Sequence, residues 1–368
     1  MENYEQMLTG GGGSSLSSTK DHRNYTLDVI RAIAILFVVA NHSIEIIFPF
    51  AGKDKVVEPF CSMPFIYQVF QFFIFTMGRF GVPLFFMLTG YLLLTRDYNT
   101  KEKIIGFYKK NFLRLVIVWY IWILLYNIFL LVFYKKPFVI EDVLLELLNV
   151  KKVPLIHAWY MQQIIVIYAI LPLLSYYLKK IKKLYKIKML IMGILLLSTI
   201  NYLCGGIHLL NFICSKSMYI AYVIAGYYYA VCKSHPDKRI CWLFLFIGFS
   251  IIVGWQIYSY HIINPYNLRY DNPLHYIVSL SLVTLLFTHN WVKNRFSNYI
   301  EKISRISFAI YLLHVPAMLI ILSILPFMKE IAIANVILLY LCTLFVCISI
   351  ILTLSKQPLI RKYLFYIK

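Results

Sequence analysis

Long apolar runs recur along the chain, separated by short polar stretches. Ten of them have the length of a membrane helix: 27–49, 71–95, 113–134, 158–178, 187–204, 216–232, 240–258, 273–290, 305–325 and 331–354. Runs of roughly 17–25 residues match a hydrocarbon layer of about 30 Å. The pattern predicts an all-α integral membrane protein, a polytopic bundle of about ten transmembrane helices. Two further stretches, Pro59–Phe75 and Phe138–Leu148, read as short interfacial helices. Residues 1–24, which include GGGGSSLSS, read as a flexible polar tail. No apolar run precedes residue 27, so the first span itself is expected to direct insertion. Residues 25–356 then form one transmembrane domain, followed by a short basic tail at 357–368.

Composition strengthens this reading. The chain is 61% hydrophobic and 14% charged, against roughly 45–50% and 25% in soluble proteins. The net charge of +20 would suggest nucleic acid in a soluble protein. Here the basic residues sit between apolar runs, so they mark topology instead, and no nucleic-acid partner is expected. Lys and Arg number 25 in the two tails and the loops on their side, against 9 in the opposite loops. By the positive-inside rule both termini are cytoplasmic. The seven cysteines form no CxxC pair, and no His/Cys cluster has metal-ligand spacing. Cys204 and Cys214 flank one outer loop, where a disulfide is conceivable. The lack of a P-loop argues against an ATP-driven pump.

The first span, LDVIRAIAILFVVANHS, carries ionisable groups where lipid would penalise them. Arg31 and His42 are eleven residues apart. That is three helical turns plus about 20°, so they share a face, separated by about 16 Å along the axis. Asp28 and Glu45 extend the same stripe at either end. Such a stripe suits the lining of a polar cavity. The other readings are a snorkelling Arg31 and a packing His42. A neutral imidazole suits general-base chemistry; a guanidinium suits phosphate or carboxylate. Arg79, inside the second span, needs a partner, and Glu45 is the candidate; the pair could also serve packing alone. His157, Trp159 and Tyr160 open the fourth span at its outer end, either as an aromatic belt or as a platform for a sugar ring. His314 falls near mid-membrane, where a packing role is the alternative. Lys109, Lys110 and Arg114 in FYKKNFLR fit headgroup contact as well as a phosphate-bearing ligand.

Four stretches resemble one family in order. They are R-x10-H in the first span, GVPLFFMLTGYLLL at 81–94, HAWYMQQIIVIYAILPLL at 157–174 and ISFAIYLLHVP at 306–316. The chain is similar to the membrane-bound acyltransferase family 3, which includes bacterial O-acetyltransferases of surface polysaccharides. Thr89 stands where that family commonly has Ser, and Pro83 where an acidic or small residue is frequent. The resemblance implies ten spans in a bacterial cytoplasmic membrane. It also implies transfer of an acyl group, acetyl above all, from cytoplasmic acyl-CoA to a glycan hydroxyl at the outer face, with no permanently bound cofactor. His42 would be the general base, with Arg31 and Asp28 beside it on the catalytic helix. Arg31, Lys109, Lys110 and Arg114 would meet the acyl-CoA. Glu45, Arg79, Thr89, His157, Trp159, Tyr160 and His314 would lie on the acceptor side or support it. The rival expectation is a glycan or amino-acid transporter that uses the same polar groups for binding alone.

Overall fold

The computed structural model describes residues 24–48, 50, 57–181, 183–203, 208–232 and 235–367. Among them every regular element is helical. Helix α1 is Tyr25–Ile47, α2 Phe65–Leu94, α3 Lys101–Tyr134, the short α4 Ile140–Leu147 and α5 Trp159–Lys180. There follow α6 (Leu184–Leu203), α7 (His208–Val231), α8 (Lys238–His261), α9 (Pro273–Thr288), α10 (Ser297–Ile324), α11 (Ile333–Leu354) and the short α12 (Pro358–Tyr363). Eight helices among the described residues are long and apolar enough to cross a membrane: α1, α2, α3, α5, α6, α8, α10 and α11. Helix α9 is apolar but has only 16 residues, and α7 covers the sixth predicted span. The protein is an all-α, multi-pass membrane protein. Cys204 and the side chain of Cys214 lie outside the described residues, as does the tail up to residue 23.

Helix starts are written in the sequence. Asn24, Thr100, Asp237 and Asn272 each accept a hydrogen bond from a first-turn backbone N–H, supplying a partner that the helix cannot supply itself. Pro273, directly after Asn272, occupies the position where a missing N–H costs nothing. Several helices begin before their apolar runs do. Helix α3 starts at Lys101 and α10 at Ser297, with polar and charged first turns ahead of the apolar run. The stretch 59–75, expected at the interface, joins α2 from Phe65 onward, whereas 138–148 forms the separate helix α4.

The bundle has an inside and an outside. More than half of the apolar window is buried in α1, α2 and α10, at 56%, 67% and 72%, whereas α6, α8 and α11 reach only 17%, 28% and 28%. The second group therefore faces lipid, with Trp242, Phe246, Ile247 and Ile251 of α8 exposed. Helix α1 packs on α2, α10 and α11, so the stripe-bearing helix is central. Helices α2 and α7 touch at backbone distance: a Cβ on Gly90 would lie 1.8 Å from the Val223 carbonyl oxygen. A side chain there would force the helices apart.

Candidate active site

At the Tyr25 end of α1, Asp28, Arg31 and Ser304 form one network. Ser304 Oγ donates to Asp28 Oδ1 at 2.7 Å and receives Arg31 Nη1 at 3.1 Å, while Arg31 Nη1 lies 3.4 Å from Asp28 Oδ1. The buried carboxylate is thus paired, as a charge in a membrane interior must be, and α1 is fastened to α10. Arg31 faces a cavity of about 490 Å³ whose walls include Thr89, Arg96, Asn111, Tyr168 and Tyr311. Thr89 stands here, on the Arg31 side, with its hydroxyl donating to Phe85 O at 2.9 Å.

Beside this cavity lies a basic basin of about 630 Å³ that shares Arg96 and Asn111 with it and adds Lys109, Lys110, Arg114 and Lys362. Helix α3 makes a wide π-helical turn over Tyr108–Phe112. One inserted residue of this kind rotates the following side chains. Asn111 thereby faces both spaces, while Lys109 and Lys110 face the basin alone. Arg114 is already engaged with the C-terminal segment: it donates to Lys362 O at 3.2 Å and Ile367 O at 3.0 Å, and it lies over the Tyr366 ring. It therefore holds the basic tail against the basin. In the α2–α3 turn, the hydrogen bond from Lys103 to Asp97, at 2.5 Å, holds the Asp97 carboxyl below its usual range and fixes the loop that carries Arg96.

At the far end of α1, His42 Nδ1 lies 2.7 Å from Glu45 Oε2, a close but poorly aligned contact. Asn41 Nδ2 donates to the same oxygen at 2.9 Å, and Arg79 Nη2 reaches the other at 3.3 Å. Arg79 is delivered by a break in α2 after residue 79. Pro83 lacks the N–H that would bond to the Arg79 carbonyl, so the regular ladder is interrupted there and resumes at Gly81–Thr89. The Arg79 guanidinium then lies between the rings of Phe75 and Tyr270. Gly78 allows the approach: a Cβ there would sit 2.6 Å from Asn41 Cβ. These groups surround a chamber of about 120 Å³, with His157, Trp159, Tyr160 and Tyr270 also in its wall.

Three imidazoles gather behind it. Ring centroids are 5.1 Å apart for His42 and His314, 4.9 Å for His157 and His314, and 6.4 Å for His42 and His157. Their hydrogen positions follow from neighbours. Tyr126 gives its single hydroxyl proton to Leu312 O at 2.7 Å. Its 3.0 Å contact with His157 Nε2 therefore requires that nitrogen to be the donor. His314 Nδ1 donates to Tyr311 O at 2.7 Å. This leaves lone pairs on His157 Nδ1 and His314 Nε2, both buried and without a hydrogen-bond partner among the described residues. Among the described residues no group of three or more His, Cys, Asp or Glu side chains is arranged to hold a metal ion.

The fold thus gathers the sequence-selected residues into two spaces and a basin. Arg31 and Thr89 line the first cavity, with Asp28 buried behind them against Ser304 and Arg31; His42, Glu45, Arg79, His157, Trp159 and Tyr160 line the second chamber; Lys109, Lys110 and Arg114 line the basin. His314 packs on His42. Asn41, Tyr126, Tyr270, Ser304 and Tyr311 were not singled out from sequence. Asn41 and Tyr311 lie inside quoted motifs, next to His42 and three residues before His314, so a signal was there. Tyr126 and Tyr270 carry none: one is an ordinary aromatic in an apolar run, the other a loop residue.

What the fold defines is a multi-pass helical membrane protein with a polar interior. A family model described as the acyltransferase domain matches residues 24–354, and the chain belongs to that family, the membrane acyltransferases of family 3. No curated protein and no solved structure gives a significant match. The protein is a membrane acyltransferase.

Proposed function

We propose that the protein moves an acyl group, acetyl in the first instance, from cytoplasmic acyl-CoA to a glycan hydroxyl at the outer face of a bacterial cytoplasmic membrane. One observation carries this reading: a single buried helix presents Arg31 to one polar cavity and His42 to another, and the Arg31 cavity adjoins a basin with several basic side chains. Acyl-CoA has a polyanionic nucleotide, a slender pantetheine arm and a thioester. The basin suits the phosphates, the Arg31 cavity suits the arm, and the thioester then comes toward His42. A transporter has no need of a basic basin beside the Arg31 cavity.

In this mechanism Glu45 is the anion that orients His42. Both its oxygens are held, by Asn41 and Arg79, so its negative charge stays fixed 2.7 Å from His42 Nδ1 and favours the tautomer with the proton on that nitrogen. Nε2 is then the base for an acceptor hydroxyl. The hydroxyl oxygen bonds to the thioester carbonyl carbon as its proton passes to His42. The C–S bond breaks, and the departing thiolate takes that proton. Trp159 and Tyr270, whose rings meet at 5.0 Å with planes 39° apart in the chamber wall, are the aromatic surfaces available to a sugar ring. The decisive experiment incubates membranes carrying the native acceptors with labelled acetyl-CoA and follows alkali-labile label. Wild-type protein should transfer it, and His42→Ala should lower the rate by about 10²–10⁴ while insertion is retained. Equal transfer by the two would exclude His42 as the base.

A further inference from the structure

Two residues, Tyr160 and Tyr311, are common to the walls of the Arg31 cavity and the His42 chamber among the described residues. Their rings meet at 5.2 Å with planes 65° apart, Tyr160 from the first turn of α5 and Tyr311 from the middle of α10. They form the partition between the two spaces. A donor entering beside Arg31 and a base standing at His42 share substrate only where this partition opens, so the thioester carbonyl comes to rest against these side chains.

That position needs a hydrogen-bond donor. When the acceptor oxygen attacks, the carbonyl π electrons move onto oxygen, and an unassisted oxyanion in a low-dielectric site is costly. The two tyrosines differ in what they can give. Tyr311 has committed its one hydroxyl proton to His157 O at 2.5 Å, and its ring is held between Phe308 and His314. The Tyr160 hydroxyl has no hydrogen-bond partner among the described residues, although its ring is packed against Phe86 at 5.1 Å. A fixed ring with an uncommitted hydroxyl is a preorganised donor.

We propose that Tyr160 is a catalytic residue, the hydroxyl that hydrogen-bonds the thioester carbonyl oxygen and stabilises the oxyanion formed on it, with Tyr311 as the immobile opposite wall. This rests on the acyl-CoA reading above. Tyr160 keeps its proton throughout: the O–C bond forms, the C–S bond breaks, and the hydroxyl proton of the acceptor travels by way of His42 to the thiolate. Arg79, by contrast, lines the His42 chamber alone and is paired with Glu45.

The test uses Tyr160→Phe, which removes one oxygen and leaves the packing ring. Label transfer from acetyl-CoA in acceptor-bearing membranes should show kcat reduced by about 10²–10³, the usual loss for one oxyanion donor. KM for acetyl-CoA should change less than threefold. Calorimetric binding of CoA to the purified variant should match wild type, which certifies that the donor side is folded. Tyr311→Phe, whose hydroxyl serves the backbone, should keep more than a tenth of wild-type kcat. Tyr160→Phe with kcat within threefold of wild type, while His42→Ala is inactive, overturns the role of Tyr160 and spares the wider reading. A Tyr160→Phe defect confined to KM or to CoA binding also overturns it. Wild-type membranes that transfer no label overturn both.

Discussion

Arg31 and His42 show how much a single position can be asked to do. The Arg31 guanidinium is tied through Nη1 to Asp28 and Ser304, which aims it at the first cavity. Lysine at this position keeps the charge but loses the planar fork that holds two oxygens at once. Arg31→Lys should therefore weaken CoA binding about tenfold or more, measured by calorimetry, with the acceptor dependence of transfer unchanged. His42→Ala should do the opposite, removing chemistry with little change in CoA affinity. If CoA affinity depends on His42 as strongly as on Arg31, the two residues form one compact site. If Arg31→Ala leaves affinity unchanged, Arg31 is only an interfacial anchor. At this scale the sequence was informative, since the stripe on α1 follows from spacing alone. The pairing of Arg79 with Glu45, already the candidate from sequence, is present, whereas the role of Asn41, which holds the other Glu45 oxygen from one turn away, went unread.

At the scale of elements, local irregularities place the functional groups. Pro83 interrupts α2 just beyond Arg79, and the π-helical turn in α3 divides Asn111 and its two lysine neighbours between the cavity and the basin. Close contact between α1 and α2 depends on Gly78, since any Cβ there meets Asn41 at 2.6 Å. Gly78→Val should lower the thermal midpoint of the purified protein, with overpacking costing about 1–3 kcal/mol. It should also reduce transfer at least tenfold, because Asn41 and Arg79 both hold Glu45 beside His42. Unchanged melting and transfer would mean that the helices pack less tightly than this contact requires. Helix existence was legible from apolar runs, whereas several helices start earlier than those runs, at Tyr25, Lys101 and Lys238. The break at residue 79 had a visible cause in Pro83. The π-helical turn in α3 had none, because inserting one residue into a helical ladder leaves no mark in hydrophobic periodicity.

On the scale of the whole molecule, charge and fold bear on different questions. The α2–α3 turn, the start of α1 and the C-terminal segment converge on the Arg31 end, where Tyr366 and Ile367 line the cavity that Arg31 faces. The bias of basic residues, 25 against 9 across the ten spans read from the sequence, predicts that this end is cytoplasmic, and labelling tests it. In a cysteine-free background, single cysteines at Lys183 and Lys362 should be labelled only after the membrane is permeabilised. Cysteines at Lys55 and Lys152 should react from outside in intact cells. External labelling at Lys183 would reverse the orientation, and with it the assignment of donor and acceptor ends.

The sequence by itself determined that the chain is a bundle of membrane helices, that α1 carries a polar face, and which family it belongs to. These are local or periodic properties, set by hydrophobic run length, by the 100° step of a helix and by short motifs. Only the tertiary structure decided that this face opens into two spaces, that Tyr160 and Tyr311 line both, and that His157 and His314 each keep a nitrogen without a partner among the described residues. Those facts depend on which atoms of distant helices meet within hydrogen-bonding range. Tyr311 and His157 are 154 residues apart, and Ser304 and Asp28 are 276 apart. No spacing rule reaches across such distances, because helix packing joins them and the chain between them does not.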